Sequence, residues 1–235
     1  MILICSILMS SCLDYEEEMW VNPDLSGRVS MKISVPEEIV RGNTGLERDL
    51  TENGLRDELE KIPGVKLESF QSFREAGKVI ANAKITFEDV EQLTRYEQGV
   101  AESTAASMLG SIKVTEEGRK VKFERTLNTM PKARNDEFAK DFLTKSLSSL
   151  LFSKNYISYK IHVPSAIITA NSQHIDGEEQ IVEWKYTLSQ AMREPPEMLV
   201  EWKKPFPFLM VFVVILTGAA SVAFIWWRKA NPQAR

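Results

Sequence analysis

Apolar and polar positions alternate strictly in several short stretches of the chain, and each stretch is bounded by turn residues. Val29, Met31, Ile33 and Val35 alternate up to Pro36, and residues 16–21 form a matching strand before Asn22-Pro-Asp-Leu-Ser-Gly27. This pattern predicts an antiparallel hairpin with one buried face. A second pair, residues 65–73 and 78–87, flanks Glu75-Ala-Gly77, and a third, within residues 112–127, turns at Glu116-Glu-Gly118 with Val121 and Phe123 on one face. Ile157, Tyr159, Ile161 and Val163 alternate in a strand ended by Pro164. Residues 166–175 and 180–188 flank Asp176-Gly177, a strong hairpin dipeptide, and Val182, Trp184, Tyr186 and Leu188 alternate after it.

Helical spacing is sparser. Leu55, Leu59 and Ile62 predict a helix over 51–62 that Pro63-Gly64 stops, and residues 88–96 read as a short helix after a strand. Asn135 is a suitable N-cap, with Asp136 and Glu137 in the first turn, for a helix whose stripe of Ala139, Leu143, Leu147 and Leu150 is widened by Phe138 and Phe142. Residues 98–111 are rich in Gly, Ala and Ser and read as a connection between two halves, 13–97 and 111–204. The expected fold is α+β, with mostly antiparallel sheets and about three helices.

One run obeys neither period. Residues 206–227 contain no charge, and roughly 22 residues at a rise of about 1.5 Å reach about 33 Å, enough for a hydrocarbon core of about 30 Å. Phe206 and Phe208 stand at one edge, Trp226 and Trp227 at the other, where amphipathic rings prefer the headgroup level, and Arg228 and Lys229 follow as a stop. A transmembrane helix over 205–227 is therefore expected, with residues 228–235 as a cytoplasmic tail. At the other end, the apolar stretch 2–9 precedes Ser10, Ser11 and Cys12 and suits a signal peptide over residues 1–11. Leu8-Met9-Ser10-Ser11-Cys12 resembles a bacterial lipobox, which implies acylation of Cys12 and cleavage before it. Residues 12–204 then form the exported domain, tied to a cell membrane at both ends.

Composition narrows the chemistry. The two cysteines, Cys5 and Cys12, both lie in the export segment, so the exported domain is expected to hold together by its apolar core without disulfides. All 33 acidic residues lie within 13–204 while Arg228, Lys229 and Arg235 lie in the tail, which makes that domain net acidic and argues against nucleic acid as a partner. His162 falls on the strand face opposite Tyr159, Ile161 and Val163 and reads as solvated, as does His174 beside the Asp176-Gly177 turn. Two such histidines without cysteines lack the usual ligands of zinc. Glu16-Glu17-Glu18 alternates between strand faces and reads as a solvated acidic run. No Walker loop or GxGxxG motif is present, and Gly42-Asn-Thr-Gly45 lacks the lysine of a phosphate loop. Neither a cofactor, a metal site nor a catalytic constellation is expected.

Several segments in order resemble the bacterial LppM-type lipoprotein domain family: Cys12 followed by a strand, the Asn-Pro-Asp-x-Ser-Gly turn, Ile85-Thr-Phe-Glu-Asp-Val90, Ser111-Ile-Lys-Val-Thr-Glu-Glu-Gly118, Val163-Pro-Ser-Ala-Ile-Ile-Thr-Ala-Asn171, Asp176-Gly177, Glu183-Trp184 and the terminal apolar run. The resemblance implies an envelope lipoprotein and supplies no active-site residues. The function expected is non-enzymatic, a surface near the membrane that binds lipid, glycolipid or another envelope protein. Two alternatives are a carboxylate-dependent envelope hydrolase and a membrane-assembly subunit using Thr217, Gly218, Ala219, Ala220 and Ser221 for helix contact.

Overall fold

A computed structural model describes residues 13–41, 44–93, 110–127, 155–194 and 196–204. The segment read as a signal peptide with Cys12, the helix expected after Asn135, nearly all of the 98–111 connection, the apolar run with Phe206, Phe208, Trp226 and Trp227, and Arg228 and Lys229, read as its stop, lie outside these residues. Among the described residues no helix is long and apolar enough to cross a membrane.

The alternating stretches form two sheets. Strands β1 (Asp14–Val21), β2 (Gly27–Pro36), β3 (Val65–Glu75), β4 (Lys78–Phe87), β7 (Tyr156–His162), β9 (His174–Asp176) and β10 (Ile181–Thr187) make a seven-stranded sheet in the order β3-β4-β2-β1-β7-β10-β9. Strands β5 (Ser111–Glu117), β6 (Lys120–Thr126), β8 (Ile167–Ala170) and β11 (Glu197–Lys203) make a four-stranded sheet in the order β5-β6-β11-β8. Among the described residues every pairing is antiparallel except β1 with β7. The α+β class expected from the sequence stands, with four short helices among the described residues: α1 (Glu37–Arg41), α2 (Thr44–Asp49), α3 (Glu52–Leu59) and α4 (Leu188–Arg193).

Turn chemistry explains the first hairpin. Asn22 N–H reaches Ser26 O at 2.7 Å, Asp24 Oδ1 accepts from Ser26 N–H and Oγ–H, and Leu25 takes a positive φ of 67°. Those two bonds from Ser26 hold the Asp24 carboxyl below its usual range. A side chain at Gly27 would put its Cβ 2.0 Å from Trp20 O, so only glycine fits where β2 begins.

The inner face of the large sheet carries Tyr15, Met19, Val21, Val29, Met31, Ile85, Ile157, Tyr159, Ile161, Val182 and Trp184. These share one core with Ile112, Val121, Phe123, Met198, Val200 and Trp202 of the small sheet. A second cluster, Val35, Val40, Leu46, Leu50, Val79 and Ala81, lies beneath α1 and α2. The large sheet is thus covered on one side twice over, by the small sheet and by α1–α3.

Four expectations change. The helix read over 51–62 is Glu52–Leu59, because Thr51 accepts from Gly54 N–H as N-cap, and two further helices precede it. Residues 88–90 are a turn, tied by Glu88 N–H to Gly64 O and Val90 N–H to Leu25 O, and helical geometry starts only at Gln92. Residues 166–175 are not one strand, since β8 joins the small sheet and β9 the large one. Strand β11 and helix α4 were not foreseen; Thr187 and Gln190 close a capping box at α4. In addition, β7, β9 and β10 extend the sheet begun by residues 13–97, so the two stretches proposed as halves do not build separate sheets.

Asn171 joins the sheets where the chain crosses between them. Its Oδ1 accepts from Trp184 Nε1–H and from Leu199 N–H, both at 2.9 Å, and its Nδ2–H donates to Glu197 O at 2.8 Å. Asn171→Ala strips the buried Trp184 indole of its partner, and the expected loss is about 1–3 kcal/mol of unfolding free energy. Urea denaturation of residues 13–204 measures it.

Candidate functional site

Two groupings of polar side chains stand out, one inside the core and one on the open face. The inner one is centred on Glu17, whose side chain is 1% exposed, and Arg125, at 3%. Strand alternation turns both inward, Glu17 between Tyr15 and Met19 on β1, and Arg125 between Phe123 and Leu127 on β6 and the residue after it. The guanidinium fork donates to Glu17 Oε1 at 2.5 Å and Oε2 at 3.0 Å, and Tyr15 Oη–H donates to Oε2 at 2.5 Å. Arg125 also lies over the Tyr159 ring at 4.4 Å, while the Tyr15 and Tyr159 rings are 5.4 Å apart.

Burial works against the Arg125 charge, but the Glu17 carboxylate overrides it and the guanidinium stays firmly protonated. Burial, then the Glu17 charge, pushes the Tyr15 hydroxyl well up, and burial does the same to Tyr159. The adjacent cavity is about 10 Å³, too small for a substrate. The other carboxylate buried among the described residues, Glu58, is held by Arg48 at 2.9 Å and Lys61 at 2.8 Å. Neither buried acid faces a second carboxylate in any hydrogen bond, and among the described residues no group of His, Cys, Asp and Glu is arranged to hold a metal ion.

The outer grouping is the exposed face of the large sheet. Register places Lys66, Thr86, Arg28, Trp20, His162 and Ile181 in one row, Ser69, Lys84, Ser30, Glu18, Lys160 and Glu183 in the next, and Gln71, Asn82, Lys32, Glu16, Ser158 and Lys185 in a third. His162 lies on the outward face, opposite Tyr159 and Ile161, where it is half-buried by its neighbours in this surface. His162 stacks on Trp20 with centroids 4.9 Å apart and donates Nε2–H to Glu18 Oε1 at 2.7 Å, while Arg28 covers the Trp20 ring at 4.5 Å. Glu18 also meets Lys160 at 3.8 Å. Tyr156 donates to Glu16 at 2.5 Å, and this bond, followed by burial and the Glu16 charge, pushes its hydroxyl up to about 12. His174 is exposed at the edge strand β9, as expected.

The acidic run thus divides by face: Glu16 and Glu18 belong to the surface rows, whereas Glu17, read from sequence as solvated, is the core's buried anion. An acid at an inward position of one strand and an arginine at an inward position of another are complementary only once the two strands face each other. Charge and tertiary pairing had to be considered together to see it.

No family model matches this sequence, and no curated protein matches it. Among solved structures, the NMR structure of the folded domain of the Mycobacterium tuberculosis LppM protein is similar, with a TM-score of 0.47 and 14% identity over 84% of this chain and 92% of that one. At that TM-score the likeness carries no assignment of function.

Removing one member of the buried pair leaves the other charge without its counter-charge. Glu17→Gln or Arg125→Met is expected to cost about 3–5 kcal/mol, whereas Glu17→Leu with Arg125→Met recovers most of that loss; urea denaturation of the three variants decides. The tyrosines predict an alkaline limit. Tyr15, Tyr156, Tyr159 and Tyr186 all have raised values, so their contribution to stability is complete below the ordinary phenol value of 10.0 and is lost as pH rises through the folded values. At pH 10.0 the unfolded chain ionises about half its tyrosines, and tyrosinate absorbance of the folded domain should be several-fold lower.

Proposed function

We propose that this chain is a membrane-anchored extracytoplasmic protein that works by binding, and that the open face of the large sheet is the surface it presents to lipid or glycolipid headgroups or to an envelope partner. The anchors are the acylated Cys12 and the 205–227 span, with the aromatic and basic residues Phe206, Phe208, Trp226, Trp227, Arg228 and Lys229 setting the depth of the helix. Strand β1 starts two residues after Cys12, and β11 ends just before the span, with Lys203 N–H bonded to Ala166 O and Lys204 N–H to Arg119 O. Short tethers at both ends keep the domain close to the bilayer.

The observation that carries this reading is the charge distribution on the open face. Across β3, β4 and β2 the three rows hold Lys66, Lys84, Arg28 and Lys32, all exposed, among Ser30, Ser69, Gln71, Asn82 and Thr86, with no carboxylate. Lys32 touches Glu16 of β1 only at 3.8 Å. A net-acidic domain has therefore gathered cations and hydrogen-bond donors in these rows of β3, β4 and β2, which suits an anionic headgroup.

Cosedimentation of residues 13–204 with vesicles is the test. Binding is expected to vesicles containing anionic lipid and not to purely zwitterionic ones, and to weaken with salt. Lys32→Glu with Lys84→Glu should weaken it at least about tenfold, given about 1 kcal/mol for each basic residue near such a surface. Equal retention of this double variant would remove the assignment of the face.

A further inference from the structure

The large sheet ends on one side at β9, only three residues long, and on the other at β3, which has eleven. Strand β3 pairs with β4 along its whole length, and among the described residues no strand pairs with its other side. Edge strands of this length are ordinarily guarded by proline, by a mid-strand lysine or by a covering element. The middle of β3, Ser69-Phe70-Gln71-Ser72-Phe73, has neither charge nor proline. Above it the corner between α2 and α3, Leu50-Thr51-Glu52, stands off and leaves an open groove of about 630 Å³ along Phe70–Phe73. Phe73 is 43% exposed.

The charges at the two ends of this neutral segment say what fits beside it. In an antiparallel pairing of β3 with another β3 about a two-fold axis through Gln71, Ser69 faces Phe73 of the other copy and Phe70 faces Ser72. Glu68 then faces Arg74, and the symmetry makes that pair twice. Moving the axis by one residue to Phe70 would set Lys66 against Arg74, so charge favours one register and opposes its neighbour. The bulge between Leu67 and Ser69 leaves Glu68 out of the ladder with β4, and Arg74, whose side chain is 68% exposed, uses only part of its donor fork on Glu37 at 3.2 Å.

We infer that β3 is a self-association edge, and that two copies of this chain join there into one continuous sheet with Gln71 opposite Gln71. The inference is independent of the headgroup-binding reading: it needs only the edge, the groove and the charge pattern. It brings the basic rows of β3 and β4 from both copies side by side on one extended face.

The absence of cysteine between Cys12 and the end of the chain makes a direct test available in the full-length protein. Residues that face themselves across a two-fold antiparallel pair come within about 4.5–5.5 Å at Cα, close enough for a disulfide. Under mild oxidation in membranes, Gln71→Cys should give a disulfide-linked dimer, Phe73→Cys alone should not, and co-expressed Ser69→Cys and Phe73→Cys chains should cross-link with each other. Adding Glu68→Arg to Gln71→Cys should cut the cross-linked fraction at least about fivefold, and adding Arg74→Glu as well should restore it. The wild-type chain gives the background from Cys5 and Cys12. Gln71→Cys cross-linking no better than Phe73→Cys, or a yield that Glu68→Arg leaves unchanged, would overturn the inference. The restored yield in the charge-swapped chain shows that folding is not the cause of the loss.

Discussion

The large and small sheets are held in alignment at the centre of their shared core by the contact between Glu17 and Arg125, two charges that bond across 108 positions of sequence. Apolar side chains alone would let two sheets slide over one another at small cost, because methyl and ring contacts are exchanged for similar ones. A buried carboxylate and a buried guanidinium do not allow this, since any slip leaves both without a partner in a medium that solvates neither. The pair contributes little net stability when made and a large penalty when missed. Tyr15, donating to the same carboxylate, and Tyr159, stacked beneath the guanidinium, remove the remaining freedom at the centre of the contact.

Asn171 repeats this logic at the side of the same interface with neutral groups. Glu17, Tyr159 and Trp184 are neighbours in one row across β1, β7 and β10, and Arg125 is opposite Met198 where β6 meets β11. Asn171 connects Trp184 to Leu199, so the row in the large sheet and the row in the small sheet are joined at two places by directional bonds. The domain's alignment is therefore polar, while most of its buried area is apolar.

With the inner face of the large sheet committed to the small sheet and to α1–α3, the outer face and the long edge at β3 are left for contacts with other molecules. The outer face is ordered by its own contacts, the Arg28-Trp20-His162 stack and the Glu16 and Glu18 bonds to neighbouring strands. The three rows from Lys66, Ser69 and Gln71 across β3, β4 and β2 lack carboxylates and keep cations available. The surface reading and the edge reading follow from where these elements are, not from any catalytic arrangement.

Local chemistry sets the hairpins: alternation assigns faces, and Asn22–Gly27, Glu75–Gly77, Glu116–Gly118 and Asp176-Gly177 place the reversals within a few residues. It determined the uncharged run 206–227 as well, whose length and flanks need no partner to be read. Tertiary structure alone decided the parallel joining of β1 to β7, because no turn connects strands about 140 residues apart, and the division of residues 166–175 between two sheets, because their pattern suits either. It also decided that Glu17 is buried while Glu16 and Glu18 are on the surface, and that His162 is stacked and bonded. A charge is stable inside only when its counter-charge arrives from elsewhere in the chain, and no local pattern carries that information.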